Sequence, residues 1–214
     1  VDVRIYCVFT MSGGTITGNE AKGDESSIPT QGVQGVLGNG GGVGITSGTF
    51  TMSGGTISGN TAETNGTGVY VGGTFNVTTG GTADSVYLPQ GKVINVINNR
   101  FTGTISGIVS EDRDIGTNIV SFNSPVQGSS EDREYFQLDK TQMSQLGLKY
   151  NSMSGKVLEL ATIYTVTFET NGGSPTIPNK AVIDGDPVLK PEDPVKEGYT
   201  LEGWYNNNVK WDFT

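Results

Sequence analysis

Eight ionisable side chains fall in two near-identical phrases, SEDRD at residues 110–114 and SEDRE at residues 130–134. Carboxylates at this density point to three chemistries. Calcium favours several oxygen ligands, and Asp112 and Asp114 with Glu131 or Asp132 would supply them if the phrases converge. Cleavage of a glycosidic bond needs two carboxylates at a set separation across it. The plainest use is in solvated turns, with Arg113 and Arg133 as local ion-pair partners. The chain has no histidine, which removes the commonest general base and metal ligand. Its single cysteine, Cys7, has no histidine with which to form a nucleophile pair. The Gly-Gly pairs lack the spacing of phosphate, dinucleotide or zinc motifs. No catalytic residue and no cofactor are therefore expected, apart from calcium at those four acids.

Contact residues are sought elsewhere. Residues 20–40, EAKGDESSIPTQGVQGVLGNG, interrupt an otherwise regular pattern and hold Asp24 and Glu25. Loops on a rigid scaffold commonly carry recognition, so these two acids are binding candidates. Tyr70 is the third, since an aromatic face suits a sugar ring. Tyr87 and Tyr6 share that option, with packing against an edge or core as the simpler alternative. For Asn19 and Asn60 an internal turn ladder is expected rather than sugar contact.

What would position these residues is a repeat. Residues 9–19 read FTMSGGTITGN and residues 50–60 read FTMSGGTISGN, differing only at Thr17 against Ser58. A looser third copy matches Phe75, Val77, Gly80, Gly81 and Thr82 to Phe50, Met52, Gly54, Gly55 and Thr56 if Thr79 is an insertion. Units this short cannot bury a core alone and must stack. Phe9 and Met11, Phe50 and Met52, and Phe75 and Val77 alternate with period two, the mark of strands with one buried face. A second short strand, Thr15-Ile16-Thr17 or Thr56-Ile57-Ser58, follows each glycine corner. The expected fold is all-β: a right-handed parallel β-helix over residues 1–162, with Phe over Phe and Asn19 in line with Asn60. The 41-residue offset is read as one coil carrying a long loop. Alternation of Cys7 with Ile5 and Phe9 predicts a buried thiol. Residues 118–122 form a strand between the acidic phrases, which are expected on one edge. A hairpin within residues 146–161 would cover the open end of the stack.

Bulk properties agree with corners and exposed sheet faces. Glycine contributes 33 of 214 residues and charged residues only 16%, below the usual share of about a quarter. The net charge of −9 argues against a nucleic-acid partner. No stretch approaches the ~20 apolar residues of a membrane span, so direct insertion is not expected. No signal peptide precedes Val1 and the alternation starts at once, so an excised stretch of a longer protein is expected.

From residue 163 the character changes, with both tryptophans and five of the eight prolines in residues 163–214. The run YTVTF at residues 164–168 is followed by Asn171, Gly172 and Gly173, then Pro191, Pro194, Gly198, Tyr199, Gly203, Trp204, Tyr205, Trp211 and Phe213. This order resembles the internalin-type B-repeat, or Listeria–Bacteroides repeat. The resemblance implies a small β-grasp-like module, with Trp204 and Trp211 in its core, of a kind found in bacterial surface proteins. Family members usually continue into a last strand of the type TLYAKW, whereas the sequence here ends at Thr214.

The first part, through phrases such as GTFTMSGGTISGNTA and VYLPQGKVINV, resembles repetitive bacterial cell-surface adhesins of pectin-lyase-like β-helix form. Together the resemblances imply a non-enzymatic, extracellular adhesin or stalk on a bacterial cell surface. Its partner would be a protein or glycan of a host or neighbouring cell. The alternative is a carbohydrate-binding or polysaccharide-cleaving β-helix protein.

Overall fold

A computed structural model describes residues 1–23, 38–151, 153 and 156–213. The chain forms two compact units, Val1–Ala161 and Thr162–Thr214. It is all-β apart from one 3-10 helix among the described residues.

The first unit is built in rows. The first row holds β1 (Asp2–Val3), β2 (Val8–Ile16) and β3 (Glu20–Ala21); the second holds β4 (Val43–Ile45), β5 (Thr49–Ile57) and β6 (Thr61–Ala62). The third holds β7 (Val69–Val71), β8 (Thr74–Val77) and β9 (Thr82–Ala83), followed by β10 (Val86–Leu88), β11 (Ile94–Val96), β12 (Thr104–Ser110) and β13 (Asn118–Phe122). Each row pairs in parallel with the next. One ladder runs β1–β4–β7–β10–β12, another β2–β5–β8–β11–β13, and β5, β9 and β12 form a third.

The repeated phrase sets the register. Phe9, Phe50 and Phe75 are successive partners, as are Met11, Met52 and Val77. Their rings lie 5.2 Å apart at each step, tilted by 13° and then 2°. Period-two alternation sends these side chains inward, where Phe50, Met52, Phe75 and Val77 are wholly buried. The opposite face carries a polar column: Thr10, Thr51, Asn76, Asn95 and Ser121.

Past the corner the third ladder aligns Thr15, Thr56, Thr82 and Thr104. The step from row two to row three is 75 − 50 = 25 before the corner and 82 − 56 = 26 after it, so one residue is inserted between. Thr79 lies in that interval with φ 55°, consistent with the insertion read from the sequence. The two short strands expected on either side of the Gly-Gly corner are instead one bent strand, since β2 and β5 run through it. Gly55, at φ 88°, makes the bend and leaves room for a neighbour: a Cβ there would lie 2.5 Å from Met11 Cε.

The interruption after Asn19 also begins later than the sequence suggests. Glu20 and Ala21 remain in the stack, paired with Thr61 and Ala62. Cys7 is exposed, contrary to expectation. Residues 4–7 form a turn closed by the Cys7 N–H on the Arg4 carbonyl (3.0 Å), with Tyr6 at φ 61°. Alternation therefore stops at Val3 and resumes in β2, and Ile5 and Tyr6 face solvent.

At the far end the parallel order gives way. β16 (Val157–Val166) joins β13 antiparallel, with β15 (Leu146–Asn151) on its other side, and β14 (Phe136–Leu138) extends the ladder of β12. The hairpin-like pair thus takes the last edge of the β13 ladder, as anticipated.

In the second unit, residues 163–166 of β16 pair antiparallel with β17 (Lys180–Ile183), and β18 (Tyr205–Asn206) pairs with β19 (Val209–Lys210). Asn171 (φ 51°) and Gly172 (φ 85°) make the turn expected from Asn-Gly-Gly. None of the fully buried hydrophobic residues belongs to this unit. Trp204 is half-buried and Trp211 is 41% exposed, so they do not form the closed core expected.

Candidate functional site

The candidate residues occupy separate places. Asp24 and Glu25 lie outside the described residues. Tyr70 sits at the centre of β7, pointing away from the core that Val69 and Val71 enter. Its register partners are Gly44 on one side and Tyr87 of β10 on the other. The two phenol rings stack 6.0 Å apart at 7°. Each ring therefore turns one face to the other, and both side chains are half-buried.

Partial burial raises the ionisation of both phenols above the ordinary tyrosine value, and the nearby Glu111 carboxylate adds to it. Arg113 acts in the opposite sense on Tyr87. The outward tyrosine pair and the first acidic phrase thus share one neighbourhood.

That phrase begins where β12 ends, at the buried Ser110. Glu111 Oε2 accepts the Gln90 N–H (2.9 Å), and Asp112 Oδ2 accepts the Gly91 N–H (2.7 Å). Two backbone donors of a neighbouring tight turn are thereby satisfied. Arg113 donates to the Gln142 carbonyl at 2.7 Å, and the exposed Asp114 accepts the Thr117 N–H through its carbonyl.

The second phrase folds differently. Ser130–Tyr135 is the 3-10 helix, capped by Ser129 with Asp132 in a reciprocal capping box. Asp132 is 2% exposed. Its Oδ2 accepts the Ser129 N–H (2.7 Å) and hydroxyl (3.0 Å), while its Oδ1 takes Arg100 Nε at 3.1 Å. Glu131, exposed, meets the same guanidinium at 3.5 Å. Asp132 is thus a buried carboxylate rather than a solvated turn residue, and its partner Arg100 is 32 residues away. Among the described residues no group of three or more acidic or cysteine side chains is placed to hold a metal ion.

Asn19 and Asn60 do form a ladder. Asn60 is buried, and its Oδ1 accepts both the backbone N–H (3.0 Å) and Nδ2 (2.9 Å) of Asn19. Its own Nδ2 donates to the carbonyls of Ile16 (2.9 Å) and Ser58 (3.2 Å).

The second unit contains a feature that sequence reasoning missed, a cavity of about 480 Å³. Thr165–Glu169 line one wall in succession, and Phe168, Trp204, Trp211 and Phe213 give it aromatic character. Phe168 meets Trp204 edge-on at 5.4 Å, and Trp204 Nε1 donates to Asp193 at 3.3 Å. The hydrogen bond from Lys190 to Asp193 holds that exposed carboxyl below its ordinary range. The crowding of aromatics after residue 198 is the one signal the sequence carried for this cavity.

Among the described residues no helix is long and apolar enough to cross a membrane. Residues 164–214 match the Listeria-Bacteroides repeat domain. A stretch of about a quarter of the chain is similar to two proteins of Evansella cellulosilytica. One, named a membrane protein, is 41% identical over 54 residues, 24% of this chain and 8% of that protein. The other, named a Gly-rich membrane protein, is 42% identical over 53 residues, 23% of this chain and 6% of that protein. The matched stretch is therefore under a tenth of either relative's length. No solved structure matches the chain.

Proposed function

We propose that this chain is part of a non-enzymatic bacterial surface protein, in which a right-handed parallel β-helix serves as a stiff stalk for display and adhesion. The observation carrying the reading is the in-register column Phe9–Phe50–Phe75, continued by parallel ladders through β13. A ladder of backbone hydrogen bonds along the stack resists extension, which is what a load-bearing stalk needs. The repeat-domain match over residues 164–214 and relatives named as membrane proteins support a place at the cell surface. In this reading the second unit is a β-grasp-like spacer, and the partner is a protein or glycan on another cell.

The acidic residues support the non-enzymatic reading. Asp132 is held by Arg100 and Ser129, and Glu111 and Asp112 by backbone amides, so these carboxylates serve the fold. A carbohydrate-binding role is the second reading, favoured by the outward Tyr70–Tyr87 pair beside Glu111.

Display of the chain on a non-adherent bacterium tests the leading reading. Increased attachment to cells or glycan-coated surfaces, with no new reducing ends from a polysaccharide panel, is the expected result. Release of reducing ends or unsaturated sugars would overturn it.

A further inference from the structure

The tripeptide Thr-Asn-Gly occurs twice, at residues 64–66 and 170–172, and the fold treats the two copies differently. An asparagine followed by glycine can cyclise, because glycine leaves the next backbone nitrogen open to close approach. Whether it does depends on the freedom of the segment and on the acidity of that N–H. Neither Gly66 nor Gly172 commits its N–H to a partner among the described residues.

The first copy is locked into the stack. The Asn65 N–H donates to Asn39 Oδ1 (3.1 Å), and the Asn65 carbonyl accepts the Gly40 N–H (3.0 Å). Asn65 and Gly66 are half-buried, and the Gly66 carbonyl takes the Gly41 N–H at 3.2 Å. A third Asn-Gly pair, Asn39–Gly40, is tied down by the same bonds, and Asn39 Oδ1 also accepts the Thr64 hydroxyl.

The second copy is exposed at both Asn171 and Gly172. The Lys196 ammonium donates to the Asn171 carbonyl at 2.8 Å. Two neighbours aim it there: Val195 and Ser174 exchange backbone hydrogen bonds (2.8 and 2.9 Å), and the centre of the Tyr199 ring lies 4.6 Å from Nζ. A charged donor on that carbonyl draws electrons from the 171–172 amide, so it acidifies the Gly172 N–H more than the neutral Gly40 donor acidifies that of Gly66. Ring closure requires the left-handed backbone at Asn171 (φ 51°) to rotate. None of the fully buried hydrophobic residues belongs to this unit, so local opening of the turn is easier than in the stack.

We propose that Asn171 is a site of self-modification. The Gly172 N–H loses its proton to solvent, and its nitrogen bonds to Asn171 Cγ. The Cγ–Nδ2 bond breaks, with Nδ2 leaving as ammonia once protonated. Water then opens the cyclic imide to aspartate or isoaspartate. The first product places a new carboxylate near Lys196. The second adds a backbone atom between Thr170 and Gly173, which are now joined by two hydrogen bonds of 2.9 Å.

The test is incubation of the full chain at mildly alkaline pH, then digestion, with each Asn-Gly peptide scored for conversion by mass and for isoaspartate by enzymatic carboxyl methylation. Conversion is expected to be severalfold faster at residue 171 than at residue 65. In guanidinium the two rates should converge, since the tripeptides are identical. Lys196→Met is expected to slow conversion at residue 171 severalfold and leave residue 65 unchanged, while Lys196→Arg keeps a charged donor and retains the faster rate. Should Lys196→Met unsettle the turn, seen as faster exchange of the Gly173 amide, the ratio of the two sites in the native chain, with and without guanidinium, decides. Equal rates at residues 65 and 171 in the folded chain, a preference that survives unfolding, or a well-folded Lys196→Met that converts as fast as the native chain would each overturn the proposal.

Discussion

The ring of Phe50 lies 5.2 Å from that of Phe75, with 2° between their planes, although 25 residues separate them. Neither side chain has measurable solvent exposure. The contact is the clearest case of one row transferring its apolar face to the next.

Truncating the middle of the column should cost most. Phe50→Ala removes a ring enclosed on both sides and is expected to destabilise the first unit by about 3–5 kcal/mol. Phe9→Ala, at a half-buried position, is expected to cost clearly less. Urea unfolding of the two variants, at unchanged m-value, checks the ordering.

The asparagine ladder gives a second contrast. Asn60→Ala strands the carbonyls of Ile16 and Ser58 and the amides of Asn19, and is expected to cost about 2–3 kcal/mol. Asn19 is exposed, so Asn19→Ala should cost under about 1 kcal/mol. Thermal unfolding followed by circular dichroism distinguishes them.

Asp132 and Arg100 should behave unequally. Arg100→Gln removes the half-exposed partner of the pair and is expected to destabilise less than Asp132→Ala. Asp132→Ala also removes the acceptor of the Ser129 amide and hydroxyl, and is expected to cost more than about 2 kcal/mol. Denaturant unfolding of both single variants is the check.

The stacked tyrosines predict an alkaline loss of stability. Both phenols are raised in the folded chain, so their contribution is fully present below the unfolded tyrosine value of about 10 and declines as pH rises through the folded value. Stability measured across that alkaline window should fall less steeply in Tyr87→Phe than in the native sequence. Ultraviolet titration should show phenols ionising above the ordinary tyrosine value, with that component reduced in Tyr87→Phe.

Much of the architecture was legible because the phrase is nearly duplicated, so its register could be read from residue identity alone. The insertion at Thr79 and the Asn19–Asn60 ladder followed from the same alignment. Cys7 was misread because alternation alone does not reveal the turn at residues 4–7. The acidic phrases, alike in sequence, fold differently because one follows the end of a strand while the other forms a 3-10 helix. Their fates depend on Arg100 and the turn at Gln90 and Gly91, contacts that local sequence does not encode. The tryptophans of the second unit were recognisable as its apolar centre, but their half-exposed setting around a cavity depends on backbone placement.

The central claim is that successive rows lie in register, so that Thr10, Thr51, Asn76, Asn95 and Ser121 form one outward column. Spin labels at Thr10 and Ser121, in a chain whose Cys7 is replaced by serine, test it by dipolar spectroscopy. Four strand spacings place the two backbone positions at about 19 Å, and a single narrow distribution near that value is the predicted result. A broad distribution, or one centred beyond about twice that separation, would contradict the stack.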